Sequence, residues 1–339
     1  MKIIPTSVSH LVKTKGLALL SGGLDSTLAV KAMVDQGLEI EAVHFTTPFC
    51  NCDKCSVDDV SEQFDVPVHH IFMGQEFLDL VADPPHGYGS HMNICIDCRI
   101  NMFRGAKKLG DEIGAEFYVT GEVLGQRPFS QRRKAMELIE TEAGLDRKIL
   151  RPLSAKLMGK TEVEEEGIVD RDSLYAIQGR RRIPQMELAE ELGVYDYPCP
   201  SGGCLLTDPQ FAIKLRDYLH YKGKLKLDDM ILLRIGRYFR IGKARAIVGR
   251  NEKENNVLSA LAERRGFLRF EVKGHMGPVS ILLGDAEVGV VEKVSALTAR
   301  YSDAPRDKVV EVECIGGDTG VLRVSSMGDE EIKTLRIKE

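Results

Sequence analysis

The sequence predicts an α/β protein built on a doubly wound parallel sheet, followed by a second domain of the α+β class. Up to about residue 155, short apolar runs alternate with segments whose apolar residues have helical spacing. Strands that alternate with helices form right-handed βαβ units, which assemble into parallel sheets. From about residue 226 the pattern changes to a helix followed by separate strand-like runs. A glycine-rich turn directly after the first predicted strand indicates a ligand site at the carboxyl edge of the sheet.

The predicted elements of the first 155 residues follow one another closely. The apolar run 17–20 predicts a buried strand. Residues 27–36 have the apolar spacing of a helix, which Gly37 ends. The other elements predicted here are strands at 39–45, 66–73 and 116–120, and helices at 57–64, 77–81 and 100–113.

The remaining sequence predicts two further segments. Residues 156–225 are rich in arginine and loop breakers, with helices at 184–192 and 209–220. The last segment combines a helix with several strands. Its predicted elements are a helix at 252–265 and strands at 268–272, 279–283 and 309–314, while 288–300 fits either type. We therefore predict a nucleotide-binding domain over 1–155, a helical extension over 156–225 and an α+β domain over 226–339.

Six residues after the first strand, SGGLDS at 21–26, favour a phosphate-binding turn. A strand, a glycine turn and a helix N-terminus direct several backbone N–H groups to one place, where the helix dipole adds positive potential. No Lys-Ser/Thr pair follows at the Walker A spacing. Asp25 either orients Mg²⁺ or a phosphate-bound water, or caps the helix, and we favour the first role. The alternative for the whole segment is an ordinary glycine-rich turn.

Composition excludes several classes of protein. Of the 339 residues, 43% are hydrophobic and 29% are charged, which is ordinary for a globular protein. No apolar stretch approaches the roughly 20 residues that span a bilayer, and the first residues do not resemble a signal peptide. We therefore expect a cytoplasmic protein without a membrane partner. Its eight cysteines then indicate metal binding or catalysis rather than disulfides.

The charge is unevenly distributed along the chain. The formal net charge is −5, yet residues 211–250 carry eleven Lys/Arg against three Asp, a local charge of +8. Tyr218, Tyr221, Tyr238 and Phe239 are interleaved with these cations. Such a pattern suits contact with the phosphates and bases of a nucleic acid, although a solvated helix face is the common alternative.

Two pairs of cysteines have the spacing of metal ligands. Cys95 and Cys98 come directly before a helix expected from about Arg99, and Cys199 and Cys204 form a later C-x4-C. Four thiolates in two tight turns can bind one metal if the fold brings the turns together. The spacing fits both a structural Zn²⁺ held by four cysteines and a 4Fe–4S cluster held by three cysteines, which would leave one iron open.

Other cysteines are harder to place from the sequence. Cys50, Cys52 and Cys55 follow the second predicted strand. They form a separate site, cap the first one, or belong to a cysteine-rich surface loop. Cys314 lies within an apolar strand, which predicts a core position.

Taken together, these motifs resemble the tRNA thiouridine synthetases, the 2-thiouridylase and 4-thiouridine synthetase branches of the PP-loop ATP pyrophosphatases. The resemblance covers about residues 17–215. It rests on SGGLDS (21–26), NICIDCR (93–99), VTGEVLGQRPFSQR (119–132), LRPLSAK (150–156) and YPCPSGGCLLTDP (197–209). It implies an adenine nucleotide alpha hydrolase-like fold and an enzyme that converts ATP to AMP and pyrophosphate. A looser match, at 249–251 and 254–256, relates the last domain to the RNA-binding domain of NFACT proteins.

The resemblance and the residue pattern together assign candidate roles. The ATP site comprises Ser21, Gly22, Gly23, Asp25, Ser26, His44, Thr120, Gly121 and Arg127. Metal or cluster ligands are Cys95, Cys98, Cys199 and Cys204, with Asp25, Cys199 and Cys204 as catalytic residues. RNA contacts are predicted at Arg132, Arg133, Arg180, Arg181, Arg182, Arg237, Arg240, Lys243 and Arg250. For His44 a purely structural role is the alternative.

These roles describe a two-step sulfuration of tRNA. ATP and Mg²⁺ bind at the glycine turn, and a flipped-out uridine attacks the α phosphate through its carbonyl oxygen. Sulfide held on the cluster then displaces AMP, with free sulfide or a cysteine desulfurase as the source. The alternatives are a persulfide on Cys199 or Cys204, a PP-loop synthetase or amidotransferase acting on a small molecule with a zinc site, and a non-catalytic RNA-binding protein. The target uridine, the choice of C2 or C4, and the oligomeric state (a homodimer included) stay open.

Overall fold

A computed structural model describes residues 14–51, 57–195, 203–317 and 320–337. The chain divides into two compact units, Met1–Thr207 and Asp208–Glu339, called here the N-terminal and the C-terminal unit. The finer division of the sequence at residues 155 and 225 stays a prediction. In the described ranges, every helix is too short or too polar to cross a bilayer.

The N-terminal unit is built on a parallel sheet of five strands in the order β3-β2-β1-β4-β5. This confirms the predicted fold class. The strands are β1 (Lys15–Leu19), β2 (Glu39–Thr46), β3 (Val68–Phe72), β4 (Phe117–Thr120) and β5 (Ile149–Leu150). The carboxyl ends of β1, β2 and β4 lie next to one another, so the loops that follow them share one edge of the sheet.

Helices cover both faces of this sheet. The helices described in this unit are α1 (Leu24–Val34), α2 (Val57–Phe64), α3 (Gln75–Ala82), α4 (Cys95–Ile113), α5 (Arg133–Ala143), α6 (Glu162–Glu165) and α7 (Ile183–Glu191). Along β1, Ala18 packs into one hydrophobic cluster while Leu17 and Leu19 pack into another on the opposite face. A strand buried on both sides reads as a continuous apolar run, which is why the sequence predicted β1 correctly.

The C-terminal unit contains a separate antiparallel sheet of six strands in the order β11-β10-β8-β9-β7-β6. The strands are β6 (Arg237–Ile241), β7 (Ala244–Val248), β8 (Leu268–Val272), β9 (Ser280–Leu283), β10 (Val309–Ile315) and β11 (Gly320–Ser325). The helices are α8 (Pro209–Lys222), α9 (Met230–Arg234), α10 (Glu252–Arg265), α11 (Val288–Arg300) and α12 (Asp329–Leu335). Cys314 is buried in β10, which confirms its predicted core position.

Three local features differ from the sequence expectations. Helix α4 begins at Cys95, one turn before Arg99, so Cys95 and Cys98 lie in its first turn rather than in a separate tight turn. The ambiguous segment 288–300 is a helix because its apolar side pairs with the strands of its own unit. The hairpin of β6 and β7 was not predicted, because its cationic residues indicated a charged surface rather than strands.

Candidate nucleotide site and cysteine cluster

The SGGLDS segment forms the turn between β1 and α1. Gly22 has a φ of 74°, a left-handed conformation that favours glycine. Gly23 is the N-cap of α1 and has no side chain to accept hydrogen bonds from the first helical N–H groups. These N–H groups and the positive end of the helix dipole therefore suit an anion supplied by a ligand.

The two serines of the segment have different tasks. Ser26 is buried, and its Oγ donates to the Gly23 carbonyl oxygen at 2.8 Å and accepts from the Ser21 N–H at 3.2 Å. The two hydroxyl oxygens lie 3.1 Å apart. Ser21 itself is exposed at the rim of the turn. Ser26 thus fixes the shape of the turn, while Ser21 is the serine accessible to a ligand.

Asp25 lies in the first turn of α1 and is not its N-cap, so the capping alternative does not apply. Its Oδ2 accepts from the Gln126 amide at 2.9 Å and lies 3.9 Å from Nη2 of Arg182. Its Oδ1 is buried and makes no hydrogen bond to a described residue. An unsatisfied carboxylate oxygen beside a phosphate-binding turn is suited to a cation such as Mg²⁺.

Gly121, directly after β4, is in contact with this turn. A Cβ atom at residue 121 would lie 2.4 Å from the carbonyl carbon and oxygen of Asp25 and from the Ser26 nitrogen. The sequence placed Thr120 and Gly121 beside ATP through a family resemblance alone. The structure adds a packing reason, because only glycine lets the end of β4 approach the start of α1 this closely.

The other predicted ATP residues lie around the same edge. His44, in β2, is buried, and its Nδ1 is 2.8 Å from the Leu20 carbonyl oxygen, just ahead of the turn. Arg127 is exposed in the loop between β4 and α5, where its N–H donates to Oε1 of Gln131 at 3.0 Å. Both residues lie at the carboxyl edge of the sheet, as predicted for the nucleotide site. Their contact with ATP stays a prediction.

Four cysteines from three distant parts of the sequence meet in the N-terminal unit. Cys50 and Cys204 face each other across an antiparallel bridge, with flanking hydrogen bonds Asn51 N–H to Gly203 O (3.0 Å) and Leu205 N–H to Phe49 O (2.9 Å). Such a flanked pair has Cα atoms about 4.5 Å apart, with the side chains close together. Leu206 O accepts from the Met92 N–H at 3.1 Å, which brings this segment to the start of α4.

Electrostatics link these thiols to Cys95 and Cys98. Burial raises the pKa of the Cys98 thiol to about 12, the nearby Arg99 opposes the rise, and the thiols of Cys95, Cys204 and Cys50 add to it. Desolvation likewise raises the pKa of Cys204 to about 11, with smaller contributions from Cys95 and Cys50. A thiophilic cation would reverse these shifts, since metal binding displaces thiol protons. We call Cys50, Cys95, Cys98 and Cys204 the cysteine cluster.

The arrangement of the described thiols is not itself a metal site. Among the described residues, no three His, Cys, Asp or Glu side chains are placed to hold a metal ion together. The predicted ligand Cys199 lies outside the described residues, as do Cys52 and Cys55. The donor set, rich in cysteine sulfur, fits zinc or an iron–sulfur cluster by its chemistry.

A buried charge network beside the cluster was not predicted. Glu122 is buried, with Oε1 at 3.2 Å from Nε of Arg99 and Oε2 at 3.2 Å from Nε of Arg151. Arg151 also pairs with Glu140. The motifs TGE and LRPLSAK contain two of these residues, but their pairing depends on tertiary contacts. The network fixes Arg99 next to Cys98.

A second group of interacting side chains that the sequence did not predict is centred on Asp97, which directly precedes Cys98. Asp97 is buried, and its Oδ1 lies 2.7 Å from Nδ1 of His86, whose Nε2 lies 2.8 Å from Oε1 of Glu142. The pKa of His86 is raised, chiefly by its hydrogen bond to Asp97. A protonated His86 between two carboxylates would therefore anchor the first turn of α4.

The predicted RNA-binding residues of the N-terminal unit separate into two sets. Arg132, Arg180 and Arg181 are exposed. Arg133 is also exposed, although its Nη2 donates to the Leu157 carbonyl oxygen at 2.7 Å. Arg182 differs from all of these because it reaches Asp25 of the nucleotide turn.

Of the four predicted RNA-binding cations of the C-terminal unit, three have partners within that unit. Arg240 pairs with Asp217, and Arg250 pairs with Glu254. Arg237 donates to the Gly249 carbonyl oxygen at 2.9 Å, while Lys243 is exposed in the turn between β6 and β7. The aromatic residues are occupied too. Tyr218, Tyr238 and Phe239 are buried, and Tyr221 is exposed with the Arg240 guanidinium 3.8 Å from its ring centre.

Two family models match the chain. Residues 11–166 match the family described as thiamine biosynthesis protein (ThiI), and residues 236–336 match the NFACT protein RNA binding domain. The suspected resemblance to PP-loop tRNA sulfurtransferases with a C-terminal RNA-binding domain is thereby confirmed at the level of family.

Individual relatives are similar to the chain as well. A probable tRNA sulfurtransferase of Methanothermobacter thermautotrophicus is 27% identical over 217 residues, which are 60% of this chain and 47% of the relative. The tRNA-specific 2-thiouridylase MnmA of Marinobacter nauticus is 22% identical and covers 83% of this chain and 77% of its own length. The chain thus spans about half the length of the first of these relatives.

One solved structure similar to this chain is a 4-thiouridine synthetase–RNA complex with bound ATP. It is 25% identical, covers 53% of this chain and 52% of its own, and has a TM-score of 0.35. Because that score is low, the resemblance to tRNA sulfurtransferases rests on the sequence matches alone.

Proposed function

We propose that this chain is an ATP-dependent tRNA sulfurtransferase, which adenylates a uridine carbonyl oxygen and replaces that oxygen with sulfur. One observation carries the proposal. The SGGLDS turn after β1 and Cys50 after the adjacent strand β2 lie at one edge of the same sheet, and Cys50 pairs with Cys204 of the cysteine cluster. A site of this kind can bring an activated base and a sulfur donor together.

The nucleotide turn supports the first step. ATP is the substrate here, and its phosphates match the N–H groups of the first turn of α1 and the exposed Ser21. When bound, Mg²⁺ would neutralise phosphate charge, with the unsatisfied Oδ1 of Asp25 as its protein ligand. Attack of the uridine oxygen on the α phosphate releases pyrophosphate and leaves AMP on the base. The adenylate makes the former carbonyl oxygen a good leaving group.

The cysteine cluster supports the second step. Cys95 and Cys98, with Cys204 or Cys199 as the third ligand, would hold an iron–sulfur cluster. When bound, such a cluster would supply one iron without a protein ligand, a soft cation able to carry inorganic sulfide. Arg99, fixed by Glu122, keeps a positive charge beside the cluster thiols. The alternative is sulfur carried as a persulfide on Cys199 or Cys204. Anaerobic purification with iron and acid-labile sulfide assays separates the two, because active enzyme free of iron contradicts the iron–sulfur version.

The partners follow from this chemistry. The uridine belongs to tRNA, and sulfur comes from sulfide or a cysteine desulfurase in the cytoplasm. The NFACT-type domain would hold the RNA mainly through its phosphates. Exposed Lys243 is the leading candidate of that domain, since several of its neighbours are paired with carboxylates.

Reconstitution with purified chain, tRNA, Mg–ATP and sulfide tests the function. We expect AMP and pyrophosphate to form only with tRNA, and mass spectrometry of digested tRNA to detect a thiouridine. Asp25→Asn should abolish release of pyrophosphate as well as the thiouridine. Cys98→Ser should still release pyrophosphate as the base is adenylated, but should form neither AMP nor thiouridine. AMP formation that does not require tRNA and depends on a small molecule instead would favour a PP-loop synthetase that acts on that small molecule.

A further inference from the structure

The segment that precedes α7 is attached to the nucleotide site. Gln178 forms a parallel bridge with Leu124, and the Gly179 N–H donates to the Leu124 carbonyl oxygen at 2.8 Å. Leu124 lies in the loop after β4, next to Gln126, which holds Asp25. The arginine triplet at 180–182 therefore begins beside the carboxyl edge of the sheet.

Helix α7 itself packs on α1. Leu188 and Ala189 of α7 share a buried cluster with Leu24 and Leu28 of α1. Arg182 is the N-cap of α7, and its Nη2 lies 3.9 Å from Oδ2 of Asp25. The packing of two helices thus fixes where this guanidinium sits.

Despite their contact, Arg182 and Asp25 can each still form hydrogen bonds or ionic contacts with a ligand. A separation of 3.9 Å is longer than a hydrogen bond, so the guanidinium keeps its donors. The side chain of Arg182 is 28% exposed, while Arg180 and Arg181 point to solvent as exposed residues. Asp25 keeps its buried, unsatisfied Oδ1. Together they present a positive and a negative group at the mouth of the turn.

We propose that Arg182 binds the polyphosphate of the nucleotide and the pyrophosphate that leaves it. This inference rests on the proposed ATP-dependent function and moves Arg182 from the RNA-binding residues to the nucleotide site. A guanidinium donates two parallel hydrogen bonds to phosphate oxygens, and its charge compensates the charge that builds up on the leaving pyrophosphate. Asp25 holds the guanidinium near the turn until the anion arrives.

Calorimetric titration of the full chain with Mg–ATP and with Mg–pyrophosphate tests the proposal. Arg182→Ala should weaken both affinities roughly 10- to 100-fold, the effect of losing charge-assisted hydrogen bonds. Arg182→Lys should recover part of the loss, and the neighbouring Arg181→Ala should leave nucleotide affinity unchanged. Affinity of Arg182→Ala for tRNA should equal that of the wild type. Unchanged nucleotide affinity together with weaker tRNA binding would overturn the proposal and restore the RNA role.

A footprint on the wild-type chain removes any dependence on the folding of variants. Phenylglyoxal modifies accessible arginines, and mass spectrometry locates the modified positions. Mg–pyrophosphate should protect Arg182 while Arg181 stays reactive, and equal reactivity of Arg182 with and without pyrophosphate contradicts the proposal. Wild-type chain that binds neither ATP nor pyrophosphate would refute the proposed function itself, a result distinct from failure of the Arg182 assignment.

Discussion

The nucleotide turn of the N-terminal unit and the basic segment of the C-terminal unit use their charged residues in different ways. At the sheet edge of the N-terminal unit, Asp25 keeps a buried oxygen without a hydrogen bond, beside helical N–H groups that lack a side-chain cap. In the C-terminal unit, Arg240 and Arg245 both pair with Asp217. A count of cations along the sequence therefore does not distinguish residues that are free to contact a ligand from residues that are paired within their own unit, and the predicted RNA contacts stay a prediction.

The largest effect is expected from removing the acid shared by the two arginines of the C-terminal unit. The Arg245 side chain is 3% exposed, and burial lowers the pKa of its guanidinium, which makes a counter-ion essential. Asp217→Ala should lower the free energy of unfolding of this unit by about 3–5 kcal/mol, as for other broken buried pairs. Denaturant-dependent hydrogen exchange of the backbone amides in β6 and β7 measures this change in the free energy of unfolding. The exposed Asp228→Ala is the control, and equal protection in both variants would show that the pair is not structural.

The next effect concerns the close approach of β4 to α1 in the N-terminal unit. Gly121→Ala would place a Cβ 2.4 Å from the Asp25 backbone and so displace the nucleotide turn. We expect tRNA-dependent AMP formation to fall about 100-fold, since small displacements of a reacting group have this scale of effect. Gly159→Ala is the matched control because its Cβ meets open space. A Gly121→Ala enzyme with normal turnover would contradict the packing argument.

The cysteines of the two units differ in whether they are placed to form a disulfide. Cys50 and Cys204 have a cross-strand arrangement within the Cα range of disulfides, whereas Cys314 is buried in the core of the other unit. A mild disulfide oxidant applied to metal-free chain should therefore join Cys50 to Cys204 and leave Cys314 reduced. Peptide mapping without reduction identifies the bond. A Cys50 that stays fully reduced while Cys95 and Cys98 oxidise would contradict the bridge.

The smallest effect is a pH dependence at α4. Because Asp97 and Glu142 raise the pKa of His86, protonated His86 stabilises the fold below its unfolded pKa of about 6.5. That stabilisation is lost as pH rises through the higher folded pKa. Burial of the imidazole opposes the rise in pKa but does not cancel it. The stability difference between wild type and His86→Gln should shrink as pH rises, and a difference that grows would refute the charge assignment.

The sequence predicted best what depends on neighbouring residues. Strand β1, the SGGLDS turn and α1 are local, and each of their signals is contained in a few consecutive residues. The sequence also suggested that distant cysteines converge, but it could not decide where Cys50 belongs, because that depends on a bridge across about 150 residues of chain. The partners of Glu122, His86 and Arg182 were missed for the same reason. Each is defined by a side chain that approaches from another element.

The most direct test of the central claim follows the oxygen that leaves the base. tRNA carrying a heavy oxygen isotope at the target uridine carbonyl would be incubated with the chain, Mg–ATP and sulfide. Adenylation of that carbonyl predicts that the heavy oxygen appears in the phosphate of AMP as the thiouridine forms. Thiouridine formed together with unlabelled AMP would contradict the account, since the nucleotide would then not have activated the base.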